Sequence, residues 1–132
     1  MAIAPVVRYM LLCEDWRADG PHGRRVNIIR LLWTIRALDD PPYPLLYREF
    51  CVFLALTEGR KTGNGHIVCV FEDTGETVFS TSPQPISFAN DPLAVVGVSF
   101  RIRDCTFPRA GRYSVQFWFE GTLVEERALT LR

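Results

Sequence analysis

The sequence predicts an all-β chain, a two-sheet antiparallel β-sandwich of immunoglobulin-like, Greek-key type with about eight strands. Three observations carry this. Residues 107–123 hold the clearest pattern: Tyr113, Val115, Phe117 and Phe119 are apolar, Arg112 before them and Ser114 and Gln116 between them are polar, and only Trp118 breaks the alternation. A period of two marks a strand with one face buried and one wet. Similar short runs recur along the chain, separated by Gly, Pro, Asp and Asn clusters that act as turns. No stretch carries a clear helical period.

Taken in order, Val6 to Cys13 reads as a first strand, with Val7, Tyr9, Leu11 and Cys13 on one face and Arg8 on the other. Glu14 to Gly23 reads as a polar loop. Val26 to Ile35 fits a strand with Asn27, Ile29, Leu31, Trp33 and Ile35 on one face, or a helix with Asn27, Arg30 and Thr34 as a polar stripe. Its β-branched residues favour the strand. Pro41, Pro42 and Pro44 impose an extended loop. Glu49 to Thr57 is almost wholly apolar, as suits a central strand covered on both faces.

Glu58 to Gly65 reads as a charged loop, Ile67 to Phe71 as a strand, and Glu76 to Ser80 as a short strand after a turn at 72–75. Thr81 to Pro92 reads as a crossing loop. From Val96 the chain alternates, with Val96, Val98, Phe100 and Ile102 inward and Gly97, Ser99, Arg101 and Arg103 outward. Glu120-Gly121 then turns the chain into a last strand, with Phe119 facing Thr122 and Phe117 facing Val124. Glu126 would then point inward while Leu129 and Leu131 resume one register over, so a β-bulge is expected within 125–127.

The 132 residues suit one domain spanning 1–132. Fifteen basic and fifteen acidic residues cancel, and neither half carries an excess above two charges, so nothing favours nucleic acid or an anionic membrane. All basic residues but Lys61 are arginine. The N-terminus lacks a secretory pattern, and no apolar window reaches the ~18 residues of a membrane helix. Cys13, Cys51, Cys69 and Cys105 are widely spaced and without a C-x-x-C pair, which points to free thiols and a cytoplasmic location.

Gly111-x-Tyr113-x-Val115 resembles the tyrosine corner of immunoglobulin-like folds, although the Cys…Trp…Cys signature of antibody domains is absent. Leu11-Leu-Cys-Glu-Asp15, Arg25-Val-Asn-Ile-Ile29, Tyr43-Pro44 before Phe50, Gly65-His66, and Gly121-x-Leu123 after the corner together resemble a family of small bacterial proteins of uncharacterised function. That resemblance covers most of the chain. It implies a β-sandwich and a bacterial source, and supplies no activity and no site residues.

Candidate chemistry is sparse. His66 and Cys69, three apart, fall on opposite faces of a strand and cannot form a nucleophile–base pair. His22 sits in a Pro-His-Gly loop. Neither histidine has metal-ligand spacing. No serine lies in a nucleophile elbow. Gly59, Gly63 and Gly65 around Arg60 and Lys61 lack the spacing of a phosphate loop and suit a hairpin. Asp39, Asp40, Glu72, Asp73 and Asp91 offer a weak calcium alternative, against their ordinary role in turns. The proline-rich loop could dock in a proline-recognising groove, but rigid spacing explains it first.

Trp118 is the oddity. The inward phase of its neighbours turns it outward beside Arg112 and Gln116, the composition of a protein-contact patch unless a loop or terminus covers it. Arg101 and Arg103 would join that patch if their strand belongs to the same sheet. The expectation is therefore a non-catalytic protein-binding or assembly module of a bacterial cytoplasmic system, using no cofactor and partnered by another protein or a second copy. The alternative is a small-ligand or calcium-binding sandwich, or an enzyme built from distant loops with His66 and Asp73 the first suspects.

Overall fold

The computed structural model describes every residue except Met1, 21–24, Ala89 and Pro92. The expected turn residue His22 therefore lies outside the described residues. Among the described residues ten strands are formed: β1 (Val6–Asp19), β2 (Arg25–Leu31), β3 (Thr34–Ile35), β4 (Leu45–Thr57), β5 (Thr62–Phe71), β6 (Thr77–Ser80), β7 (Gln84–Ser87), β8 (Val96–Phe107), β9 (Gly111–Phe119) and β10 (Thr122–Leu131). They make a four-stranded sheet of order β2-β1-β4-β8 and a six-stranded sheet of order β3-β10-β9-β5-β6, with β7 also on β5. The chain crosses between sheets from β4 to β5 and from β8 to β9, so that β8 pairs with β4 while β9 lies between β5 and β10. This interleaving is the Greek-key, immunoglobulin-like sandwich.

The tyrosine corner forms. Tyr113 is fully buried and its hydroxyl donates to the Arg109 carbonyl at 2.7 Å. Gly111 enters the corner with φ 139°, a region that disfavours a Cβ, which would also press on the Phe71 ring. Between the sheets, Met10, Leu12, Phe50, Val52, Leu54, Leu56, Phe100 and Ile102 face Ile67, Cys69, Phe71, Tyr113, Val115, Phe117, Leu129 and Leu131.

The expected outline changes in several places. Two strands are additional: β3, and β7 within the expected 81–92 loop. One pairing is parallel, β3 with β10, so the sandwich is not purely antiparallel. β1 runs on through 14–19, where a loop was expected, because β2 supplies its hydrogen bonds there. Its phase is also reversed: Met10 and Leu12 enter the core while Tyr9 is exposed, since a bulge between Val7 and Tyr9 shifts the register. The strand expected over 26–35 breaks at Leu32-Trp33, and β3 crosses to the other sheet, burying Ile35 and leaving Trp33 exposed.

The β10 bulge falls at Val124, just before the expected place. Phe119 faces Thr122 as expected, but Phe117 faces Glu125 rather than Val124. Glu125 and Arg127 thus take the inward register, and they form an ion pair of 3.0 Å with each other. Thr62 to Gly65 is strand rather than loop. A Cβ at Gly63 would overlap the Phe119 ring, and one at Gly65 would sit 2.9 Å from the Phe117 ring. These glycines let β9 aromatics pack on β5.

Candidate functional site

The two sheets present two outer faces, and the sequence-derived contact residues divide between them. Arg112, Gln116 and Trp118 lie on β9 in the six-stranded sheet; Arg101 and Arg103 lie on β8 in the four-stranded sheet. The condition for a shared patch is not met, because a strand entering β9 from β8 crosses the core.

On the six-stranded sheet, Trp118 is half-buried and faces outward between His66 of β5 and Leu123 of β10. Its indole lies nearly parallel to the His66 imidazole, with centroids 6.3 Å apart and planes 18° apart. The indole Nε1–H donates to Gln116 Oε1 at 3.0 Å. These contacts hold the ring in one orientation. The register places Val68, Val70, Ser114 and Ala128 on the same face, with Leu123 41% exposed. Ser114 donates to Glu126 at 2.9 Å. Arg112 and Glu126 are the charges that the β5, β9 and β10 ladders place there, and Arg112 is exposed. His66 is the cross-strand neighbour of Trp118; the register that joins them is not visible without the fold.

On the four-stranded sheet the outer face is covered over its middle, while Tyr9, Gly97, Arg101 and Arg103 remain exposed. Along β4 the outward residues Cys51, Phe53 and Ala55 are as buried as the inward ones. The cover is the β1–β2 ribbon. β1 pairs with β4 only as far as Cys13–Cys51, then bends across the sheet. The Cys51 thiol points at the Glu14 carbonyl, 3.9 Å away, and the Trp16 ring lies 5.2 Å from that of Phe53. An in-register continuation would have set Trp16 opposite Arg48 instead.

Arg101 spans the same face, donating to Asp15 at 3.0 Å and reaching Glu49 at 3.3 Å, while Arg103 meets Glu49 at 3.2 Å. The hydrogen bond from Arg101, helped by the Trp16 backbone N–H, holds the Asp15 carboxyl below its usual range. The same bond raises Arg101.

Beyond Cys13–Cys51 the separation of β1 from β4 leaves a cleft of about 500 Å³, lined by Glu14, Asp15, Arg17, Ile29, Tyr47, Arg48 and Glu49. A paired irregularity places the β4 residues. Glu49 faces Arg103 and Tyr47 faces Cys105, but Arg48 and Asp104 between them are missing from the ladder, and Asp104 has φ 52°. Inward phase moves from even to odd residues across this point in both strands, so adjacent polar pairs, Arg48-Glu49 and Arg103-Asp104, are both exposed. Those doubled polar residues inside alternating runs are the sequence signal for the cleft.

All four cysteines are free and buried, including Cys105. Burial, with the neighbouring Cys51 and Asp15, pushes the Cys13 thiol up to about 11; burial pushes Cys105 up to about 12 and Cys69 higher still. They are neutral packing groups near pH 7. His66 lies in the middle of β5 and Asp73 in the turn beyond its end, so these two do not meet on one stretch of strand. Among the described residues, no group of three or more His, Cys, Asp and Glu is placed to hold a metal ion. Among the described residues no helix is long and apolar enough to cross a membrane.

The fold and the tyrosine corner define an immunoglobulin-like β-sandwich. Residues 8–132 match the model of a family described as "Family of unknown function (DUF6941)", and the chain belongs to that family. No curated protein matches it. Among solved structures it is similar to a β-D-glucoside glucohydrolase from Trichoderma reesei, at 10% identity and a TM-score of 0.49, over 98% of this chain but only 19% of the hydrolase. It is also similar to an immunoglobulin-like protein from Pseudomonas aeruginosa, at 13% identity and a TM-score of 0.37, over 89% of this chain and 97% of that one.

Proposed function

We propose that the protein is a non-catalytic protein-binding or assembly module whose contact face is the outer face of the six-stranded sheet, centred on Trp118. The observation that carries this reading is the fixed, half-exposed indole among Leu123, Val68, Val70 and Ala128, in a field holding few charges. Tryptophan offers a large apolar surface with an N–H at its rim, and interface cores are poor in charge. An indole already held by Gln116 and His66 loses little conformational entropy on binding. Arg112 at one end supplies a planar donor for the polar rim. Arg101 and Arg103 are outside this face and take no part in it. The buried free thiols agree with a reducing, cytoplasmic setting in a bacterium, which completes the proposal.

The test compares wild type with Trp118→Ala by size-exclusion chromatography with light scattering and by pull-down. Loss of self-association or of a captured partner, with the melting temperature retained, is the expected result. A mutant that keeps every contact removes this face from consideration.

A further inference from the structure

We propose a second binding site on the opposite sheet: the wedge between β1 and β4 takes an extended, acidic polypeptide segment as an added strand. Where β1 leaves β4 after Cys13–Cys51, both strands continue. Residues 14–19 of β1 then pair only with β2, and residues 45–49 of β4 only with β8. Each wall of the wedge is therefore a strand edge facing the cleft without a ladder partner among the described residues. On the β1 wall the Glu14 carbonyl already accepts from Cys51 and the Trp16 N–H donates to Asp15, so the template for an incoming strand is the edge of 45–49 on β4 together with the remaining backbone groups of 14–19. The cleft of about 500 Å³ has room for several residues of extended chain.

The charges choose the segment. Glu14 is met by Arg30 at 3.1 Å, Asp15 by Arg101, and Glu49 by Arg101 and Arg103. Arg17 and Arg48 line the same cleft, one from each wall, and form no ion pair among the described residues. The acids of the site are thus already paired, while Arg48 has no ion pair and Arg17, which adds to Arg101 in lowering the nearby Asp15 carboxyl, makes no direct one. A carboxylate side chain on the guest would give each a bidentate partner. Ile29 and Tyr47 provide apolar surface for the alternate side chains of such a strand. The unpaired Arg48–Asp104 step, with Asp104 in a left-handed conformation, is what turns Arg48 toward the cleft.

The experiment titrates the whole chain with three probes, followed by amide NMR and fluorescence anisotropy. These are a capped Val-Glu-Val-Glu-Val peptide, the same peptide with Lys for Glu, and inorganic phosphate. The acidic peptide is expected to bind saturably, moving the amides of 14–19 and 45–49, and to bind about tenfold tighter than the Lys form. The double variant Arg17→Glu with Arg48→Glu is expected to reverse that order. An acidic peptide N-methylated at alternate residues, which cannot pair along one edge, is expected to lose binding to the wild-type protein, so that part needs no variant. Trp118→Ala is expected to leave all of this unchanged, which separates the wedge from the contact face proposed above. The proposal is overturned if the two peptides bind alike, if N-methylation makes no difference, or if phosphate alone reproduces the shifts.

Discussion

The two outer faces of this sandwich begin from the same architecture and end differently. On the four-stranded sheet, β4 is apolar on both sides, and Cys51, Phe53 and Ala55 would meet water if nothing lay over them. The β1–β2 ribbon bends across to cover them, and Arg101 ties its Asp15 to Glu49 on the sheet below. On the six-stranded sheet, Ser114, Gln116 and His66 interrupt the outward positions; His66, Val68, Val70, Gln116 and Trp118 are partly buried, Ser114 is buried and Arg112 is exposed, with no second layer among the described residues. The difference teaches that a strand's outward side chains decide whether its sheet recruits a cover. It also isolates Trp118, which has the size of a covered residue on a face that has no cover.

Replacing one aromatic on each face tests this contrast most severely. Phe53→Ala is expected to cost about 3–5 kcal/mol, because it leaves a cavity under Trp16 on the covered face. Trp118→Ala is expected to cost about 1 kcal/mol, since part of the indole already faces solvent. Urea denaturation of the two variants provides the comparison. Equal losses would mean that Trp118 is a structural residue like Phe53, and the contact-face reading would lose its basis.

The sequence disclosed the covered strand and the outward tryptophan but not what surrounds either. Alternation from Tyr113 to Phe119 is a local pattern enforced by the pleat, so the buried side of β9 and the tyrosine corner were legible. The unbroken apolar run of β4 announced burial on both faces. Its cover was hidden because 14–19 is polar and looks like a loop; only pairing with β2 makes it strand. The phase of β1 was hidden for a related reason: a single bulged residue near Arg8 exchanges the faces. The partnership of Trp118 with His66, and the assignment of β8 and β9 to different sheets, depend on long-range pairing that period and composition do not encode.

The second test lifts the cover without touching the sheet. Trp16→Ala is expected to destabilise by about 1–2 kcal/mol through lost apolar contact with Phe53. Its sharper readout is chemical. In the wild type all four thiols are buried, and labelling by a disulfide reagent at neutral pH is expected to be slow until the chain unfolds. In the variant, Cys51, which lies beneath Glu14, is expected to label first. Labelling of Cys69 or Cys105 first would place the opening in the core instead. The raised thiols also set an alkaline limit. The folded state holds Cys13 protonated up to about 11, whereas an unfolded thiol ionises near 9.0, so stability is expected to fall as pH rises from about 9 toward 11.

The smallest expected effect belongs to the tie between ribbon and sheet. Arg101→Met removes the cation that bridges Asp15 and Glu49 and leaves two carboxylates facing one another across the same gap. Each of these groups is more than a third exposed, so water and salt screen the pair, and the loss should be below that of Trp16→Ala. Its pH dependence identifies it. Arg101 holds the folded Asp15 carboxyl below its ordinary 3.8, so the stabilisation is complete above that value and is lost as pH falls through the lower, folded one. The difference in unfolding midpoint between wild type and Arg101→Met should therefore be steady from pH 7 to 5, shrink below about pH 4, and shrink at pH 7 when salt is raised. A difference that persists in acid would show that Arg101 does not act through the charge of these carboxylates, and the ribbon would then be held by apolar contact alone.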